Sequence, residues 1–172
     1  MGVLSSQQIR ALIEGSEPLV TDLVDLDAQL QPNGIDLTLC SIEALPGPGQ
    51  IGRTNDDRIL APSVDVQFDP NGWVDLAPGV YVVRLNEAVC LPADVMALAK
   101  PRSSLLRNGV AIHNAVWDAG YVGRSQVQLA VTNPAGFRLA RDARIVQMVF
   151  MTLESATDSP YAGRYQGEGG AG

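Results

Sequence analysis

The sequence predicts an all-β domain preceded by one short helix, and three observations carry that prediction. Aromatic residues make up only 5% of the 172 residues, while glycine and proline number 17 and 11, a balance that favours many turns. Apolar residues come in short runs, most of them bounded by Pro, Asp, Asn or Gly. Several of those runs alternate apolar with polar, the period of a strand. A chain of this length fits one domain with a substantial core. The text of short strands suits a sandwich, jelly roll or barrel.

In order along the chain, residues 5–14 read as the helix. Ser5 with Gln8 forms a capping-box pattern, Ile9, Leu12 and Ile13 share a face, and Gly15 is placed to close the end. Gln31-Pro32-Asn33-Gly34 is a turn, after which Ile35-Asp36-Leu37-Thr38-Leu39 alternates as a half-buried strand. Residues 44–58, rich in Pro, Gly and Asp, read as an exposed loop. Short strands follow at Val64–Phe68, Gly79–Leu85, Ala88–Leu91 and Val95–Ala99. Further on, Val127, Leu129 and Val131 alternate with Gln126, Gln128 and Ala130, and a last apolar strand runs from Ile145 to Leu153. The final ten residues contain five glycines and are expected to form a mobile tail.

The formal charge of −7 argues against non-specific nucleic-acid binding, which needs a basic face, yet leaves room for an anionic ligand held by a few local arginines. Cys40 and Cys90 are far apart in sequence and His113 is the single histidine, so a protein-bound metal is not expected. No apolar run approaches the ~20 residues of a membrane span. The N-terminus lacks a charged-then-apolar signal. The expected setting is the cytoplasm, with both cysteines reduced and no membrane partner.

The chain is organised around Pro101–Gly123, where two polar turns flank a mostly apolar segment. Arg102-Ser103-Ser104 offers a guanidinium, two hydroxyls and backbone N–H groups, a set suited to phosphate oxygens. Asp118-Ala119-Gly120-Tyr121 sets a carboxylate beside an aromatic ring, suited to activating water next to a flat substrate. Each residue also has an ordinary reading: Asp118 ending a strand, Tyr121 filling the core, Arg102 on the surface, Arg164 idle in the tail. Gln147, inside an apolar strand, is harder to read so, because a buried amide must find partners.

Taken in order, these segments resemble the deoxyuridine triphosphatase and deoxycytidine triphosphate deaminase superfamily over nearly the whole chain. V-L-S-S-Q-Q-I-R-A-L-I-E and Q-P-N-G-I-D-L-T-L look like the deaminase branch. P-R-S-S-L-L-R-N-G-V resembles the shared phosphate motif, and A-V-W-D-A-G-Y-V-G the motif with the water-activating aspartate. A-R-I-V-Q-M-V-F and P-Y-A-G-R-Y-Q-G resemble the fourth motif and the C-terminal arm. The resemblance implies a distorted jelly roll of the β-clip type over residues 1–160, a flexible arm over residues 161–172, and a homotrimer with sites shared between subunits.

It also implies a chemistry: hydrolysis of dUTP to dUMP and pyrophosphate, with Mg²⁺ held mainly by the substrate phosphates. Asp118 would activate the water. Arg102, Ser103, Ser104 and Gln147 would bind phosphate, with Arg107 beside them. Tyr121 would press on the deoxyribose, and Ile112, Ala115 and Val116 would read the base. Tyr161, Arg164 and Gln166 on the arm would close over the triphosphate. Deaminases carry a proton-moving glutamate five residues beyond the last glycine of the aspartate motif; here that position is Gln128, and an amide cannot shuttle protons near neutral pH. Gly109 lies nine residues before Asp118, the compact hairpin of triphosphatases. The alternatives are a dCTP deaminase, a bifunctional enzyme releasing dUMP from dCTP, or a non-catalytic nucleotide-gated trimer.

Overall fold

The computed structural model describes residues 2–170; Met1 and the last two residues of the expected arm, Ala171 and Gly172, lie outside them. The capping signal works as read. Helix α1 (Ser6–Ile13) has Ser5 as N-cap, with Gln8 N–H donating to Ser5 Oγ and Ser5 N–H donating to Gln8 Oε1 at 3.0 Å. Ile9 anchors it in the core. The helix ends on Glu14 in a right-handed conformation, and Gly15 does not adopt the left-handed one expected of it.

The chain continues through β1 (Val20–Thr21), α2 (Leu26–Gln29), β2 (Leu30–Gln31) and the long β3 (Gly34–Ala44). A mostly exposed loop with a 3₁₀ turn at Asn55–Asp57 leads to β4 (Val64–Val66), β5 (Trp73–Leu76), β6 (Gly79–Leu85), β7 (Ala88–Cys90) and β8 (Val95–Pro101). Helix α3 (Ser103–Arg107) precedes β9 (Val110–His113), β10 (Val122–Gly123), β11 (Gln126–Val131), β12 (Phe137–Ala140) and β13 (Arg144–Thr152). The largest sheet runs β8-β13-β3-β6-β11-β9, with β2 and β4 also on β3; β1-β7-β10 and β12-β5 form smaller sheets.

Strand β3 makes the sheet curl. Its first half pairs with β13 (Ile35↔Met148, Asp36↔Gln147) and its second with β6 (Ile42↔Val83, Glu43↔Val82). Both ladders shift register, one between Leu39 and Ser41 and the other between Arg144 and Val146. Such irregularities bend a strand and increase its twist, turning the sheet towards a nearly closed barrel. Ile35, Leu37, Leu39, Val83, Leu85, Leu129, Met148 and Phe150 fill its interior. Each contributes about 1.5–3 kcal/mol by leaving water.

Three sequence readings need correction. The alternation around Leu37 implies one solvated face, yet Thr38 is buried under Glu87 from the turn between β6 and β7, and Asp36 is buried against Arg102 and Arg144. The Arg102-Ser103-Ser104 segment is not simply a turn: it opens α3, and Asp25 caps a further one-turn helix, α2. The β5–β12 pair was not foreseen, because four-residue strands carry too little periodicity to register.

Candidate active site

The aspartate turn hangs from two strands. Ala97 and Trp117 exchange backbone hydrogen bonds at 2.9 and 3.1 Å, Gly120 N–H donates to Leu91 O and Leu91 N–H to Tyr121 O. Next to it, β11 buries Val127, Leu129 and Val131 and leaves Gln128 on the other face, as its alternation requires. The result is a pocket of about 820 Å³ whose walls include Asp118, Tyr121, Gln128, Ala115, Val116 and Tyr161. Gln128, Val82 and Glu43 stand in register across β11, β6 and β3, so one row of side chains forms part of its wall.

Tyr121 is held at its oxygen by a directed chain. Trp117 Nε1 can only donate, and it donates to Ser125 Oγ at 2.6 Å. Tyr121 gives its one proton to Glu168 Oε1 at 2.7 Å, so in the 2.9 Å contact between Ser125 Oγ and Tyr121 Oη the serine donates. Burial raises the Tyr121 phenol above its ordinary value, so it stays a donor; burial also raises the Glu168 carboxyl, with the Tyr121 hydrogen bond opposing it. The Tyr161 ring meets Tyr121 edge-on, centroids 5.7 Å apart.

Residues 161–168 lie along this turn. Tyr161 N–H donates to Ala119 O, Gly167 N–H to Val122 O and Arg124 N–H to Glu168 O. Gln166 receives from Val122 N–H and donates to Gly120 O at 3.0 Å, so its side chain clamps the turn. Gly120 has φ +87°, and a Cβ there would sit 2.5 Å from Pro160, so this approach requires glycine. Arg164 is exposed.

The phosphate-type segment lies elsewhere on the chain. Lys100, Gln147 and Asp36 stand in register across β8, β13 and β3. Arg102, the N-cap of α3, places Nε 2.9 Å from Asp36 Oδ2, and Arg144 approaches the same oxygen at 3.5 Å. Ser103, Ser104 and Arg107 are exposed, Arg107 donating to Ser103 O at 2.9 Å. A Cβ on Gly34, at φ +149°, would run into the Met148 carbonyl, which explains the glycine of the Q-P-N-G turn.

Of the expected residues, the pocket gathers Asp118, Tyr121, Gln128, Ala115, Val116 and Tyr161. Arg102, Ser103, Ser104, Arg107, Gln147, Arg164 and Gln166 are not in its wall, and the Ile112 side chain is turned into the core, with its backbone opposite Leu129. Asp118 sits beside Trp117, which is bridged to Ala97, while Arg102 follows the far end of β8. At ~3.3 Å per residue, that is more than about 13 Å along the strand. Sequence reasoning missed Glu43, Ser125, Glu168 and Arg144. Ser125 had a signal, since it falls on the buried face of the β11 alternation, where a hydroxyl needs partners.

The chain is thus a barrel-like β protein with a carboxylate–tyrosine pocket and a separate cationic segment. The chain belongs to the dCTP deaminase-like family, whose pattern it matches over residues 3–153. It is 45% identical over 168 residues to a protein of Methanococcoides burtonii named "probable deoxyuridine 5'-triphosphate nucleotidohydrolase", covering 98% of this chain and 99% of that one. A protein of the same name from Archaeoglobus fulgidus is 49% identical over 168 residues, covering 98% of each chain. The crystal structure of 2'-deoxycytidine 5'-triphosphate deaminase from Agrobacterium tumefaciens superposes with a TM-score of 0.65 at 30% identity, covering 87% of this chain. This chain spans about half of that structure's length, 48%.

Proposed function

We propose that the protein hydrolyses dUTP to dUMP and pyrophosphate in the cytoplasm, as a homotrimer. The observation that carries this reading is the pocket in which Asp118 and Tyr121 meet Gln128, an amide where a deaminase needs a proton-shuttling carboxylate. The relatives at 45 and 49% identity, named for this activity, support it. Asp118 holds a water and takes its proton as the oxygen attacks the α-phosphorus. The bond from that phosphorus to the bridging oxygen breaks, and pyrophosphate leaves. Tyr121, fixed at its oxygen by Ser125 and Glu168, packs against the deoxyribose and leaves no room for a 2′-hydroxyl.

Arg102, Ser103, Ser104 and Gln147 bind phosphate oxygens, with Arg107 at the edge of the segment. Because they lie apart from Asp118 along β8, each site joins one subunit's aspartate pocket to a neighbour's phosphate segment. Tyr161, Arg164 and Gln166 belong to the arm that covers the site, Gln166 by holding the turn at Gly120 and Val122. Mg²⁺ fits as a passenger on the substrate: the segment offers mainly guanidinium, ammonium, amide and hydroxyl groups, which suit phosphate oxygens, and its one carboxylate, Asp36, faces Arg102 and Arg144. Bound there, it shares the phosphates' charge and fixes their geometry.

A second reading, deamination of dCTP, is favoured by the Glu43 carboxylate, which stands in the same pocket row as Gln128 two strands away. Product analysis with Mg²⁺ and each of dUTP, dCTP, dTTP and UTP separates the two. Hydrolysis of dUTP alone, without ammonia from dCTP, is the expected result. Ammonia released from dCTP at a rate comparable to dUTP hydrolysis would replace the first reading with a bifunctional one.

A further inference from the structure

The Asp36 carboxylate is a buried acidic group flanked by two arginines. Its side chain is 2% exposed, on the central strand β3, and two guanidinium groups converge on one of its oxygens. Arg102 Nε is 2.9 Å from Oδ2 and Arg144 Nη1 is 3.5 Å away, yet Oδ2 receives no hydrogen bond of good angle. The contact is therefore electrostatic, and its value lies in where it holds the two cations. Arg102 Nη1 also reaches Arg144 O at 3.4 Å, and Arg144 Nη1 donates to Ala28 O. Among the described residues Arg102 Nη2 makes no hydrogen bond or ion pair.

The backbone that carries Asp36 is braced from behind. Gln29 Nε2 donates to Asp36 O at 2.8 Å and to Glu87 Oε1 at 2.7 Å. Glu87 in turn receives from Thr38 N–H at 2.9 Å and from Thr38 Oγ1 at 2.6 Å. Gln29 and Glu87 are 1% and 0% exposed, so this bracket is dry. A dry, satisfied polar bracket fixes position more than it adds stability.

We propose that Asp36 is a positioning residue for phosphate binding. It holds the Arg102 and Arg144 guanidinium groups side by side on a backbone that Gln29 and Glu87 lock in place. Two long cationic side chains left free would repel each other and each lose rotamer freedom on binding a triphosphate. With a buried carboxylate between them, that ordering is complete before the ligand arrives. The inference rests on the proposed phosphate role of Arg102 and adds Asp36 and Arg144 to it.

The test compares affinities of the full-length protein for α,β-imido-dUTP and for dUMP by calorimetry, in Asp36→Asn, Arg102→Gln and the double variant. Asp36→Asn is expected to weaken the imido-triphosphate about tenfold or more and dUMP less than twofold, with no added loss in the double variant. A general loss of structure would weaken both ligands alike, and that outcome overturns the proposal. If Arg102→Gln weakens the imido-triphosphate and Asp36→Asn does not, positioning is refuted while the phosphate reading stands. If Arg102→Gln has no effect, the phosphate reading itself fails and takes this inference with it. Should Asp36→Asn not fold, the Arg102 Nε–H signal of the unaltered protein decides, assigned by its loss in Arg102→Gln. Restricted nanosecond motion of that N–H in the ligand-free protein supports the proposal, and motion as free as that of exposed Arg107 overturns it.

Discussion

Asp118 stands exposed at the pocket with no side-chain hydrogen bond among the described residues, while Glu87 is fully enclosed and accepts three. The first is free to meet a water; the second is occupied with structure. Asp118→Asn keeps the shape and removes the basicity, so kcat for dUTP should fall about 10²–10⁴-fold while affinity for the unreacted nucleotide is retained. Turnover close to that of the unaltered protein would remove Asp118 from the mechanism. For Glu87, burial raises the carboxyl above its ordinary 4.5, with the Thr38 and Gln29 hydrogen bonds opposing the shift. The folded state then binds this proton more tightly than the unfolded one. That contribution to stability is full below the ordinary value and is lost as pH rises through the raised one. Glu87→Gln should therefore flatten the fall of Tm with rising pH. An unchanged slope would show that Glu87 is not its source.

At the scale of elements, the arm and the β10 turn form one unit. Tyr161 packs its ring against Tyr121, and beyond it the described residues of the arm are attached by hydrogen bonds to Gly120, Val122 and Arg124 and by the Tyr121–Glu168 contact. Net contributions of ~1 kcal/mol each are compatible with the opening and closing proposed for the arm. Deleting residues from Gly163 onward should leave the barrel's circular dichroism intact and its Tm within a few degrees, while turnover of dUTP collapses. A truncated enzyme with normal kinetics would show the arm to be idle. The loop before β4 is a different kind of element: Gln50 and Ile59 close it with paired backbone hydrogen bonds at 2.7 and 2.9 Å.

For the whole molecule, the separation of Asp118 from Arg102 along β8 is the main constraint. Neither half of the site is complete on one subunit under the proposed reading, so assembly and activity are coupled. Sedimentation should give three times the mass of one chain, and a stable monomer at micromolar concentration would refute the assembly. A sharper check uses two inactive variants, Asp118→Asn and Arg102→Gln. Mixed and reassembled in equal amounts, they should recover roughly a quarter of the normal site activity, because one site in four then draws both halves from unaltered positions. No recovery on mixing would mean that each subunit supplies its own phosphate groups.

The sequence by itself determined the local features. The capping box of α1, the full extent of β6, the faces of β11 and the residue types around Asp118 depend on neighbours within a turn or a strand. It also placed Gln128 on the face opposite Val127 and Leu129, since side chains alternate whatever the rest of the chain does. Only the tertiary structure decided what lies across strands. The burial of Asp36 between Arg102 and Arg144 and the Gln29–Glu87 bracket join residues up to 108 positions apart, as does the row from Glu43 to Gln128 at shorter range. No periodicity announces such meetings. They follow from register and from the bends in β3, which are set when the whole sheet closes on its core.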